Sequence, residues 1–77
     1  MYEQSLLCGI MNDWYGCMET LLQELKSYGF EILDYNRECI TVSTDDDGDY
    51  VQLELVLGGT ESTIVVEDFT EVYRKEA

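Results

Sequence analysis

At Gly29 the spacing of the apolar residues changes, and that change sets the class of fold. Before it, Leu6, Leu7, Ile10, Met11, Trp14, Cys17, Met18, Leu21, Leu22, Leu25 and Tyr28 share one side of a 3.6-residue spiral, with Asn12, Asp13, Glu19, Thr20, Gln23 and Ser27 on the other. The unbroken phase predicts one long N-terminal helix ending at Gly29. Gly9 and Gly16 fall on its polar side, where each costs about 1 kcal/mol against alanine. A break near residues 9–13, with Asn12 or Asp13 capping a second helix, is the alternative.

After Gly29 the period is two. Residues 30–35, 38–44, 50–57 and 63–67 read as strands joined by short turns, which predicts a four-stranded antiparallel meander. Asp68 followed by Glu71 resembles a capping box, and Phe69, Val72 and Tyr73 share a helical face, so a short C-terminal helix is expected with Arg74 and Lys75 at its negative end. The expected architecture is two-layer α+β: the long helix packs on one side of the sheet. Its core is Leu7, Ile10, Trp14, Met18, Leu21, Leu25, Phe30, Ile32, Ile40, Val42, Val51, Leu53, Leu55, Ile64 and Val66. Residues 1–77 form a single domain, small enough to be only marginally stable alone.

Chemistry is narrowed by what this composition lacks. Histidine is absent, which removes Ser/His and Cys/His nucleophile pairs and the usual near-neutral proton shuttle. Cys8, Cys17 and Cys39 have no CxxC spacing and cannot all pair with one another, so they read as reduced thiols in a reducing cytoplasm. No loop has the pattern that cradles phosphate: Gly58-Gly59 runs into Thr60-Glu61. The N-terminus is acidic rather than basic, unlike a secretory signal, and the run 6–11 is too short to span a bilayer. The chain is expected to be a soluble cytoplasmic protein, not an enzyme, with no cofactor and no metal.

Charge points toward a partner. Seventeen acids face four bases, a net −13, which exceeds the magnitude of about 2–8 that solubility asks of a small domain. Nucleic acid and anionic membrane are thereby disfavoured as direct partners. Between Glu38 and Tyr73 there is no base at all; Lys26, Arg37, Arg74 and Lys75 lie outside that stretch. Within it stand Glu38, Asp45, Asp46, Asp47, Asp49, Glu54, Glu61, Glu67, Asp68 and Glu71.

The densest part, residues 43–50, fits three descriptions. As a calcium loop it would use Ser43, Asp45, Asp47, Asp49 and Glu54, with Gly48 at the sharp bend, but its flanks are strands where that motif needs helices. As a hairpin turn it needs only Asp47-Gly48, leaving the other aspartates unexplained. As part of an anionic surface it uses all of them. Carboxylates on a strand grid, about 6.7 Å along and 4.8 Å across, are spaced on the scale of phosphates, and tyrosines suit an interface that desolvates cations. The candidate contact residues are Tyr35, Glu38, Asp45, Asp46, Asp47, Asp49, Tyr50, Glu54, Glu61, Glu67 and Asp68.

These acids and tyrosines, on a small helix-then-meander chain, resemble the phage-encoded anti-CRISPR and DNA-mimic inhibitors of bacterial nucleases. The resemblance implies a non-enzymatic inhibitor that occupies the basic nucleic-acid groove of a nuclease or CRISPR-type effector in the host cytoplasm. Two other functions fit the same composition: an immunity or antitoxin protein neutralising a basic nuclease toxin, and a small interaction module. The last would use Leu33, Val56 and Val65, expected on the outward sheet face, where an apolar patch would also allow a homodimer.

Overall fold

A computed structural model of the chain describes residues 8–11 and 14–77. Within these residues, a first helix, α1, covers 8–11, and a second, α2, runs Met18–Ser27. The strands are β1 (Glu31–Tyr35), β2 (Cys39–Asp46), β3 (Asp49–Gly59) and β4 (Ile64–Lys75), antiparallel and in the order β1-β2-β3-β4.

The long N-terminal helix is not formed. Trp14 N–H still bonds back to the Ile10 carbonyl at 3.2 Å, as in a helix, but Gly16 then leaves to make a bridge with Ile64 at the start of β4. Gly16 N–H donates to the Ile64 carbonyl at 3.1 Å and Ile64 N–H returns the bond at 2.7 Å. A Cβ at Gly16 would lie 2.9 Å from the Trp14 ring and 3.0 Å from the Thr20 hydroxyl, so a larger residue there would have to displace the Trp14 ring. The new helix starts at Cys17. Its N–H donates to Thr20 Oγ1 at 3.1 Å, and that hydroxyl donates to the Cys17 carbonyl at 2.9 Å. Apolar phase survives the break because Ile10, Leu21 and Leu25 still face the same core from two helices. The expected placements of Leu6 and Leu7, and capping by Asn12 or Asp13, lie outside the described residues.

The C-terminal helix is also absent; residues 68–75 continue β4. β3 is eleven residues long and buries Val51, Leu53, Leu55 and Leu57 on one face, and a β4 ending at Glu67 would leave its first half paired only with β2 and unpaired along the other edge. Two bulges explain the misleading spacing. Register slips between Val56 and Leu57 and again between Gln52 and Leu53, which leaves Glu67 and Val72 as extra residues in β4. The extra residue Val72 puts Tyr73 on the face opposite Phe69, so Phe69, Val72 and Tyr73 keep the i, i+3, i+4 rhythm of a helix although they share no face of the strand. Asp68 caps nothing helical; its Oδ1 accepts the N–H of the next residue, Phe69, at 2.8 Å.

The core is Ile10, Leu21, Leu25 and Phe30 from the helical layer against Ile40, Val42, Val51, Leu53, Leu55, Leu57, Ile64 and Val66 from the sheet. Trp14, Met18 and Ile32, expected inside, pack partly buried against it. Among the described residues, the helices cover one sheet face and no helix lies on the other, the open face.

Candidate anionic face

Cross-strand pairs share a face, so the register sorts every candidate residue. Ile40 pairs with Leu55, Val42 with Leu53, Thr44 with Val51 and Asp46 with Asp49. Val51 in turn pairs with Arg74, and Leu53 with Glu71. Asp46, Asp49, Glu71 and Arg74 therefore stand on the helix side of the sheet, just beyond the apolar core.

They form one cluster. Arg74 Nη2 lies 2.8 Å from Asp46 Oδ2 and 2.7 Å from Glu71 Oε1, Nη1 lies 2.8 Å from Asp49 Oδ2, and Nε lies 3.0 Å from Glu71 Oε1. The planar fork of the guanidinium allows one side chain to hold three carboxylates. Those bonds raise the Arg74 pKa, the Glu71 contact most. The Ala77 N–H, 2.9 Å from Asp49 Oδ1, and then Arg74 hold the Asp49 carboxyl below its ordinary range. Three acids of the stretch that lacks bases in the sequence are thus held in space by a base from just outside it. Asp46 and Asp49 are committed to this cluster.

On the open face the register aligns Asp34 with Thr41, Glu54 and Thr70 in one row; Glu31 with Ser43, Gln52 and Tyr73 in the next; and Asp45 with Tyr50 and Lys75 at the end. Asp68 pairs with Val56 in the row beyond Glu54, and the Glu67 carboxylate lies over Gly58. Glu31, Asp34, Asp45, Glu67 and Asp68 are exposed and Glu54 is half-buried; Lys75, at the edge, is the cation this register places among them. Tyr50 and Tyr73 meet edge to face with ring centres 6.1 Å apart, and Gln52 Nε2 donates to the Tyr50 hydroxyl at 3.0 Å. Tyr73 keeps 48% of its surface exposed.

The remaining candidates lie elsewhere. Asp47 is exposed at the tip of the β2–β3 turn. Glu38 and Glu61 sit in the turns at the opposite end, about seven residues or 23 Å along β3 from the tip. Tyr35 pairs with Ile40 and so faces the helix side, beside a cleft of about 320 Å³. That cleft is also lined by Cys17, Met18, Asn36, Arg37, Glu61, Ser62 and Ile64. Arg37 donates from its Nη2 to the Thr60 carbonyl there, and the Thr20 hydroxyl lowers the Cys17 thiol pKa, helped by the Thr20 N–H.

Sequence reasoning missed Glu31 and Asp34 because Arg37 separates them from the base-free stretch along the chain, although Arg37 itself points to the far end. The alternation in residues 30–35 pointed to Glu31, but the β1 bulge that turns Asp34 outward left no trace in that alternation. The calcium arrangement is not assembled: Asp45 and Asp49 lie on opposite faces, Asp49 is held by Arg74, and Ser43 is buried. Among the described residues, no group of three or more potential ligands is placed to hold a metal ion. The apolar trio is gathered only in part: Val56 and half-buried Val65 share the open face as diagonal neighbours on β3 and β4, while exposed Leu33 stands apart on β1 beyond β2.

Among the described residues no helix is long and apolar enough to cross a membrane. Comparison with known protein families, curated proteins and solved structures returned no match.

Proposed function

We propose that the protein is a non-enzymatic inhibitor that acts in the host cytoplasm by laying its open, acidic sheet face into the nucleic-acid groove of a basic nuclease or CRISPR-type effector. One observation carries this: on the helix side Asp46, Asp49 and Glu71 share Arg74, while on the open face Glu31, Asp34, Glu54, Glu67 and Asp68 have, among the described residues, no such clamp, and Lys75 stands only at the edge. Uncompensated charge costs the fold self-repulsion, and a cationic partner would relieve it. Rows about 6.7 Å apart and strands about 4.8 Å apart present these carboxylates at spacings a phosphate-binding groove accepts. The Tyr50–Tyr73 pair adds flat surface on which arginine side chains stack.

The test is affinity capture of basic nucleic-acid enzymes with the wild-type protein and two variants of equal charge. E31Q/D34N/E54Q/D68N empties the open face, and its asparagines keep the acceptor oxygens that Asp34 and Asp68 offer the next N–H. E19Q/E38Q/E61Q/E76Q removes the same charge from other exposed sites. Wild type and the second variant should retain a nuclease that elutes with salt or competing nucleic acid, and the first variant should not. Equal retention by both variants, or indifference to competing nucleic acid, would refute the proposal.

A further inference from the structure

β4 is an edge strand of twelve residues; Gly16 bridges its outer edge at Ile64, and beyond that bridge no strand lies beside it among the described residues. The bulges at Glu67 and Val72 and the charged residues along it limit which strand can pair there, but an edge this long is still a template for one. Its charges are sorted along its length: Asp68 near one end of the run 68–75, Lys75 at the other. We propose that β4 pairs antiparallel with β4 of a second copy, joining two sheets about a two-fold axis between Glu71 and Val72, with Asp68 of each chain opposite Lys75 of the other.

The register is dictated by the faces. Paired residues on antiparallel strands must point the same way. Asp68, Thr70, Tyr73 and Lys75 all lie on the open face, because they pair with Val56, Glu54, Gln52 and Tyr50. Placing residue 68 opposite 75 also places 70 opposite 73, and all four side chains agree in direction. A slip of one residue would set Asp68 opposite Arg74, which faces the helix side and is already held by Asp46, Asp49 and Glu71. Val72 and Tyr73, 51% and 48% exposed, lie beside the axis and would lose water there. The Glu67 bulge ends the pairable run at its start. This association does not depend on the inhibitor function, but it would join two acidic faces on one side of an eight-stranded sheet.

Charge exchange tests it, read by sedimentation velocity over a range of protein concentrations. Wild type should show a concentration-dependent monomer–dimer equilibrium. K75D and D68K each set like charges opposite one another twice per dimer and should weaken association by about tenfold or more. The double variant D68K/K75D should recover it, and an equimolar mixture of the two single variants should form a heterodimer. K26D, the same charge change on exposed α2, should associate as wild type does. Where circular dichroism shows that D68K does not fold, the comparison of K75D with K26D decides alone. A wild type that stays monomeric at every concentration overturns the proposal, as does a K75D that dimerises as well as K26D.

Discussion

Arg74 shows how far one side chain can redirect a charge map. It stands at the end of the core face with 28% of its side chain exposed, between carboxylates that would otherwise repel one another across the β2–β3 hairpin and β4. Replacing it with methionine keeps the aliphatic stem and removes the fork. R74M should lower the melting temperature by several degrees, and R74M/D46N/D49N should recover part of that loss, because breaking such a cluster is costlier than removing it whole. Asp49 adds a pH signature. Its folded pKa is lowered, so the stability it lends is present above its ordinary value of 3.8 and disappears as pH falls through the lowered one. Urea midpoints for wild type and D49N should therefore differ most above about pH 4 and converge in stronger acid. Cys17 carries a signature of a different kind: without the Thr20 hydroxyl its thiol pKa rises, so T20V should slow alkylation of Cys17 near neutral pH. Of these residues, the sequence made only the types legible. Arg74 was read as a helix-end charge because nothing local announces that β4 carries it beside Asp46 and Asp49, twenty-eight and twenty-five residues away.

Secondary structure was most legible where one period ran uninterrupted. The alternation of β3 and the Asp47-Gly48 turn are as the residues suggest: both turn residues have positive φ, 54° and 93°, which a two-residue hairpin of this twist requires and which aspartate and glycine tolerate. Leu21, Leu25, Ile40, Val42, Leu53 and Leu55 are fully buried, in keeping with their phase. The reading failed where two periods or two partners compete. At Gly16 a backbone bridge to Ile64 displaces the helical bond, a non-local contact that no window of residues 6–28 contains. At residues 67 and 72 the bulges break the alternation and leave helix-like spacing. The bulge at Val72 does mechanical work: it puts Tyr73 on the open face and Arg74 on the helix face. Deleting Val72 should exchange those faces for the last residues of β4, break the Arg74 cluster and destabilise at least as much as R74M, as denaturant titration would show. Leu53→Ala, in the middle of the sheet, should cost about 2–5 kcal/mol. A chain of this length has only about 4–12 kcal/mol to lose, so that single cavity would remove a large share of its stability, read as a lowered urea midpoint.

Across the whole molecule, the surplus charge and the small core pull in opposite directions, and salt separates their effects. A net −13 on one 77-residue chain repels itself at low ionic strength, where the screening length is about 30 Å and spans most of a molecule whose longest dimension is 40 Å. At about 1 M salt that length falls to about 3 Å. The carboxylates of the open face, spaced further apart than this, then cease to interact, while Arg74 holds its partners at 2.7–2.8 Å and is screened far less. The melting temperature should therefore rise with sodium chloride, and E31Q/D34N/E54Q/D68N should show a smaller rise from a higher starting point. For a protein whose acids served only solubility, partner binding would not track this curve. For one whose open face replaces phosphates, affinity for the basic partner should fall over the same range of salt in which the fold gains stability, because the potential that strains the folded chain is the potential that the groove neutralises. Measuring both quantities against salt, on wild type and on the open-face variant, ties the stability of the sheet to its use. A variant that gains stability at low salt yet binds as tightly as wild type would place the binding surface somewhere other than the open face.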